Sequence, residues 1–388
     1  MVPVLAILTG LLFSAVFIIL TSEEVYNAFG RSIWAGLSAS WRCVARAYGA
    51  LFAGSLGQPS EIVAALRSGD EQAIRHAFYP VLESLTTSVP YVFAGLAVAL
   101  SFRSGVFNIG AEGQIYMGAL TSAFIGYAVI GLPAIVHIPV ALLAGALGGA
   151  IWGFIPGWLK ARTGAHEVIS TIMLNYVAFR LCEWLLSGPM KRPGTANQAS
   201  PVVQETARLP CFFGDPIRFH LGFFVALAAA WAVSWLLFRT TWGFSLRVAG
   251  ANPDAARCAG INVSRSIVVA MTLSGALAGI AGANEVLGVN HHMAMAFSSG
   301  YGFDAIALAL LGNNSPLGVV LAALLFGTLR NGATNMQVAS SVPVDIISIL
   351  QGTILVFIAA PAIIRGVYRL RLPEKPATEV TIRGWGGS

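Results

Sequence analysis

The chain has 388 residues, 56% of them hydrophobic and only 10% charged, with a mean hydropathy of +0.74 and a formal net charge of +6. Soluble domains carry about a quarter charged residues, and so apolar a chain cannot be hidden in one water-soluble core. The positive balance does not indicate a nucleic-acid partner, because Lys and Arg are scattered among loops with no dense basic cluster interleaved with aromatics. Cys43, Cys182, Cys211 and Cys258 show neither CxxC spacing nor His neighbours at ligand distance, so no metal site is expected.

Long apolar stretches recur near 2–20, 81–102, 104–130, 133–158, 166–187, 219–238, 264–283, 297–312, 315–332 and 344–364. Most approach the roughly 20 residues a bilayer-spanning helix requires. The fold class implied is an all-α polytopic membrane protein of about ten transmembrane helices in a compact bundle. The first stretch lacks a basic n-region and an A-x-A site, so it reads as an uncleaved span. Around Phe102–Gly105 almost no connection separates two stretches, and 81–130 reads either as two passes or as a discontinuous helix.

Ten crossings place both chain ends on one side. That side carries Arg103, Lys160, Arg162, Arg239, Arg247, Arg257 and Arg265, then Arg365, Arg369, Arg371 and Lys375, whereas the loops near 131–133, 284–296 and 333–343 carry no Lys or Arg. The positive-inside rule makes both termini cytoplasmic. The expected organisation is a first span plus an extracytoplasmic segment (1–80), a transmembrane domain (81–367) with a cytoplasmic loop at 240–262, and a cytoplasmic tail (368–388). Gly145, Gly149, Gly153 and Gly157 fall on one helix face, as do Gly275, Gly279 and Ala283. Such stripes let helix backbones approach closely in lipid.

Three features bear on function. The first is the run Ser104-Gly-Val-Phe-Asn-Ile-Gly-Ala-Glu-Gly-Gln114 inside an apolar region. Gly105, Gly110 and Gly113 loosen a helix there, and Asn108, Glu112 and Gln114 bring polar groups to membrane depth. An ionisable group at that depth costs about 2.5–3.5 kcal/mol on insertion scales, so it faces a cavity or a partner. Two roles for Glu112 stay open: lining a cavity, or capping a neighbouring helix near the cytoplasmic interface.

The second is Asn252-Pro-Asp-Ala-Ala-Arg-Cys-Ala-Gly260, in a cytoplasmic loop. Asn252 is a good N-cap, Pro253 suits the first helical position, Asp254 complements the dipole and Gly260 permits a left-handed stop. The pattern predicts a two-turn helix outside the membrane, built to receive force from a separate protein. The third is an absence. None of the three lysines, Lys160, Lys191 and Lys375, lies in a phosphate-binding GK[ST] context, so any ATP driving this protein is bound elsewhere. His291-His292 lacks the HExxH spacing, and no GxSxG nucleophile elbow occurs. The chain is not expected to be an enzyme.

The runs GVFNIGAEGQIYMGA (105–119), HEVISTIMLNY (166–176) and RVAGANPDAARCAGI (247–261) together resemble the permease family of bacterial ABC importers for nucleosides and simple sugars. The likeness extends from about Pro80 to Val367, and the first run resembles the nucleoside-type branch. The resemblance implies an inner-membrane complex of two permeases, two ATP-binding subunits holding ATP and Mg, and an extracytoplasmic binding protein of the basic membrane protein class. The extended N-terminal region resembles the longer permease of a heterodimeric pair. By the same resemblance Asn252, Pro253, Asp254, Ala255, Ala256, Arg257 and Gly260 form the coupling helix that docks on the ATPase. Substrate-pathway candidates are Phe107, Asn108, Glu112, Gln114, Tyr116 and Asn175, with Phe107 and Tyr116 offering an aromatic face to a base. The rival reading is an ion-driven secondary transporter with Glu112, Asp304 or Asp345 at a midplane site.

Overall fold

A computed structural model describes residues 2–214, 216–340, 342–343 and 345–359. The expected tail at 368–388 and the end of the last apolar stretch lie outside the described residues.

Helices follow one another as α1 (Val2–Thr21), α2 (Glu23–Phe29), α3 (Ile33–Leu56), α4 (Pro59–Ser68), α5 (Glu71–Arg103), α6 (Ala111–Ala128), α7 (Ala134–Thr163) and α8 (Glu167–Ser187). After a long connection come α9 (Gly222–Arg239), α10 (Thr241–Ala251), α11 (Pro253–Cys258), α12 (Val263–Glu285), α13 (Tyr301–Leu311), α14 (Pro316–Ser340) and α15 (Asp345–Ala359). A π-helical turn, Val286–Asn290, extends α12. Among the described residues the extended pairing is limited to two isolated bridges, Ala199 with Ala294 and Cys211 with His220.

The central pillar is α5. Asp70 starts it by accepting hydrogen bonds from the amides of Gln72 and Ala73, at 3.3 and 3.2 Å. From Ser88 to Ser101 every residue is buried, because α9, α12, α13 and α14 surround that stretch. Pro80 lies inside the helix, and the Asn331 side-chain amide of α14 reaches it there. It donates to the carbonyls of Pro80 (3.1 Å) and Gly54 (3.2 Å) and to Ser84 Oγ (3.0 Å), stitching α3, α5 and α14 together.

The glycine stripes of α7 and α12 face each other. A Cβ on Gly149 would collide with the Gly275 carbonyl and lie 2.7 Å from Gly279 Cα, and one on Gly153 would lie 3.0 Å from Gly275 Cα. Gly145 rests on Ala283, and Gly157 on Met271. Backbone therefore touches backbone, the closest packing helices achieve in lipid.

The outer surfaces are apolar. On α7 Ile135, Leu143, Leu147 and Ile151 are exposed, on α8 Ile169, Met173 and Trp184, and on α9 Trp231 and Trp235, while glycine, Thr171 and Asn175 point inward. In water so large an apolar surface would drive association; in a bilayer it is the lipid face. Among the described residues six helices are long and apolar enough to cross a membrane, and the α1–α2 pair, bent by 73°, would make a seventh.

Three expectations about spans change. The stretch 297–312 supplies only the eleven-residue α13, about 16 Å long, half of the roughly 30 Å hydrocarbon core. The stretch 104–130 becomes helical only at Ala111. The segment 333–343, read as a loop, continues α14 as far as Ser340. Residues 21–80 are mostly helical, and α3 packs against α14 through Ala39, Cys43, Ala47 and Leu51 rather than forming a free loop. Arg42 and Arg46 interrupt its hydropathy, which conceals a packed helix from a hydropathy scan.

Candidate functional site

The chain breaks where α5 ends. Ser104 and Gly105 turn it, Gly105 at φ +73°, and 106–109 run without regular structure until Gly110 starts α6. Backbone freed inside a bundle must find partners within the protein. The Asn108 side chain donates to Gln114 Oε1 and Ser274 Oγ, both at 2.8 Å, and accepts from the Gly110 amide at 3.0 Å. Ser274 passes the chain on to the Ala97 carbonyl at 2.7 Å. Asn175, from α8, accepts from the Gly113 amide (2.8 Å) and donates to the Ile109 carbonyl (3.0 Å). Gly113 has no side chain because a Cβ there would sit 2.9 Å from Asn175 Oδ1. Asn108, Gln114, Ser274 and Asn175 are all buried; the first three bond to one another, and Asn175 bonds to the backbone of Ile109 and Gly113, so that together they hold the break closed.

A second break meets the first. After the π turn the chain folds back through His291 (φ 53°), Ala296 (φ 59°) and Gly300 (φ 94°), left-handed positions that bring α13 into the bundle. The Gly302 amide, in the first turn of α13, donates to Glu112 Oε2 at 2.6 Å. Glu112 is 3% exposed and lies in the first turn of α6, so one carboxylate faces the positive ends of two helices, α6 and the short α13. In this arrangement Glu112 caps a helix, deep inside the bundle rather than at an interface.

Around this junction lies a cluster that sequence reasoning missed. Tyr91 Oη donates to Asp304 Oδ2 at 3.2 Å, and its ring meets Tyr301 edge-on at 5.0 Å. Asn290 donates to the Glu285 carboxylate at 3.2 Å. Arg218 pairs with buried Glu83 of α5. The available signal was the placement of Glu83, Glu285 and Asp304 within or beside apolar stretches; of these only Asp304 was singled out.

The aromatic candidates separate. Tyr116 is buried, its ring 4.8 Å from both Phe179 and Phe297. Phe107 is 56% exposed and packs on Phe102 at 5.0 Å, so the two rings do not form one face. Just ahead of α9, outside the span, His220 accepts from the Gly222 amide at 3.1 Å. Burial, aided by the nearby His291 and Arg218, lowers its pKa to about 4.

Away from the junction, α11 is bounded at both ends. Asn252 Oδ1 accepts from the amides of Asp254 (3.0 Å) and Ala255 (3.1 Å), with Pro253 at the first helical position. Asp254 and Arg257 form an exposed pair at 2.6 Å. Ala256 is fully buried against a small cluster containing Ala249 and Val263, which fixes the helix to α10 and α12. Gly260, at φ +76°, turns the chain toward Asn262, which caps α12 through the Arg265 amide at 2.9 Å. The supporting helix α10 was not anticipated.

Discontinuous helices meeting inside a membrane bundle, with a capped helix displayed beside it, are the geometry of a membrane transport protein. The chain is 44% identical over 296 residues to the guanosine ABC transporter permease NupP of Bacillus subtilis, covering 74% of this chain and 83% of the relative. It is 38% identical to the glucose ABC transporter permease TsgB13 of Haloferax volcanii (72% and 76% covered). To the nucleoside ABC transporter permease NupB of Lactococcus lactis it is 32% identical (77% and 83% covered). Residues 81–359 match the family described as branched-chain amino acid transport system / permease component, and the chain belongs to that family. No solved structure matches it significantly.

Proposed function

We propose that this chain is the permease subunit of an ATP-driven importer that moves nucleosides across a bacterial inner membrane, with both termini cytoplasmic. The carrying observation is the likeness to a guanosine permease, stronger than that to the glucose permease and extending over most of both chains. ATP and Mg are bound by separate ATP-binding subunits that dock on Asn252, Pro253, Asp254, Ala255, Ala256, Arg257 and Gly260. An extracytoplasmic binding protein of the basic membrane protein class delivers the solute. A second, shorter permease completes a heterodimer. The helices α1 to α4 precede the part that matches the family, which supports assigning this chain as the longer member.

The solute path runs along the break. Asn108, Glu112, Gln114 and Asn175 line it once the Glu112–Gly302 contact opens; Tyr116 flanks it and Phe107 stands at its exposed end. Residues 81–367 are the permease domain, 1–80 a first span with an extracytoplasmic segment, and 368–388 a cytoplasmic tail.

The test is purification of the assembly from its native membrane, followed by uptake of labelled guanosine into proteoliposomes. Co-elution of a P-loop subunit and ATP-dependent uptake inhibited by excess nucleoside but not by glucose support the proposal. The likeness to a glucose permease favours simple sugars as the second reading, and the opposite competition pattern would establish it. Uptake that survives ATP depletion but collapses with an ion gradient would assign a secondary transporter instead.

A further inference from the structure

We infer that Arg103 is the positioning residue that ties the docking helix to both α6 and α13, so that these two helices move with it as one unit. This rests on the reading of the chain as an ATP-driven permease. The side chain, at the last residue of α5, donates from Nε to the Asn314 carbonyl (3.0 Å) and from its terminal nitrogen to the Asn313 carbonyl (3.3 Å). Asn313 and Asn314 form the turn between α13 and α14, both at φ 52°, a left-handed pair whose carbonyls converge on the guanidinium.

The same end of α5 touches the docking element through backbone. A Cβ on Gly250, in the last turn of α10, would lie 2.5 Å from the Arg103 carbonyl and 2.6 Å from the Gly105 amide. A Cβ on Gly105 would in turn lie 2.7 Å from Gly250 Cα. Gly250 is two residues from Asn252, the cap of α11. Phe238 is shared as well, lying 5.8 Å from the Arg103 guanidinium and 5.2 Å from that of Arg247 on α10.

These contacts close a ring. From α11 it runs through Gly250 to Gly105, along 104–110 to the start of α6, and across the Glu112–Gly302 hydrogen bond to the start of α13. It then descends α13 to Asn313 and Asn314 and returns through Arg103. A push on α11 therefore reaches α6 through its leading segment and α13 through its far end. Without Arg103 the second route is lost, and α11 pulls on α6 only.

The experiment uses the full assembly in nanodiscs, with exposed Cys211 and Cys258 replaced by Ser and spin labels at Thr241→Cys on α10 and Leu317→Cys on α14. In the parent the label distance holds within about 2 Å between nucleotide-free and ATP-trapped states, because Thr241 lies on the docking element and Leu317 just beyond the Asn313–Asn314 turn, the two points that Arg103 joins. With Arg103→Gln that distance becomes nucleotide-dependent. Uptake falls about tenfold while basal ATP hydrolysis and melting temperature stay at parent values, and Arg103→Lys restores part of the uptake. Uptake within twofold of the parent for Arg103→Gln, or a parent distance that already shifts with ATP, overturns the inference. A parent that transports without hydrolysing ATP overturns the functional reading instead, separately from the ring.

Discussion

Glu112 and Gly302 lie 190 positions apart in sequence, yet the carboxylate of one accepts the amide hydrogen of the other at 2.6 Å in the centre of the bundle. The contact exists because Gly302 has no side chain: a Cβ there would lie 2.5 Å from Glu112 Cα. Two helices thus present their N-termini to one buried carboxylate, and neither could start there unpaired.

Replacing Glu112 with Ala removes the acceptor and leaves a buried amide unsatisfied. The expected loss is about 1–3 kcal/mol, with Glu112→Gln, which keeps an oxygen, losing less. Gly302→Ala is expected to destabilise by a comparable amount through overpacking. Apparent melting temperatures of the purified protein in nanodiscs check this, and equal values for Glu112→Ala and the parent would exclude the capping role.

The α7–α12 interface predicts a sharp contrast between glycines. Gly149→Ala drives a methyl into the Gly275 carbonyl and is expected to cost about 1–3 kcal/mol. Gly352→Ala, on α15 with nothing within 4 Å of the new methyl, is expected to be neutral or to stabilise by up to about 1 kcal/mol through helix propensity. Thermal melts of the two variants side by side decide it.

For the docking helix, Asn252→Ala removes a cap and is expected to cost about 1 kcal/mol locally. The double exchange Asp254→Arg with Arg257→Asp retains an exposed pair worth no more than about 0.5 kcal/mol and reverses its fit to the helix dipole, so only a small, local loss confined to α11 is expected. If α11 is the docking surface, solute-stimulated ATP hydrolysis falls in the exchanged variant while membrane insertion stays normal. Stimulation at the parent level would place the docking surface elsewhere.

His220 predicts a dependence on pH. Its folded pKa, about 4, lies below the ordinary value of about 6.5, so on acidification the unfolded chain takes up the proton first. This contribution to stability is present above pH 6.5 and is lost as pH falls from 6.5 toward 4. Melting temperature measured across that window should fall for the parent and change less for His220→Gln.

The sequence by itself determined the class of fold. Its apolar stretches are too many and too long for a soluble core, and α5, α7, α8, α9, α12 and α14 all lie where those stretches fall. The ends of α11 were equally legible, because Asn252, Pro253 and Gly260 act on neighbours within a few residues. Hydropathy reports composition along a window, however, and says nothing about where a chain turns back. It therefore gave 297–312 the appearance of a crossing and left α3, with Arg42 and Arg46, looking like a loop. Only the tertiary structure decided that α6 and the short α13 start inside the bundle and meet there. The positive φ angles at Ala296, Asn313 and Asn314 that make the turns possible carry no glycine signal, and the partners that satisfy the broken backbone, Asn175, Ser274 and Gly302, come from distant parts of the chain. Glu112 could be recognised in sequence as a costly group in need of a partner, but the identity of that partner depended on packing across the whole bundle.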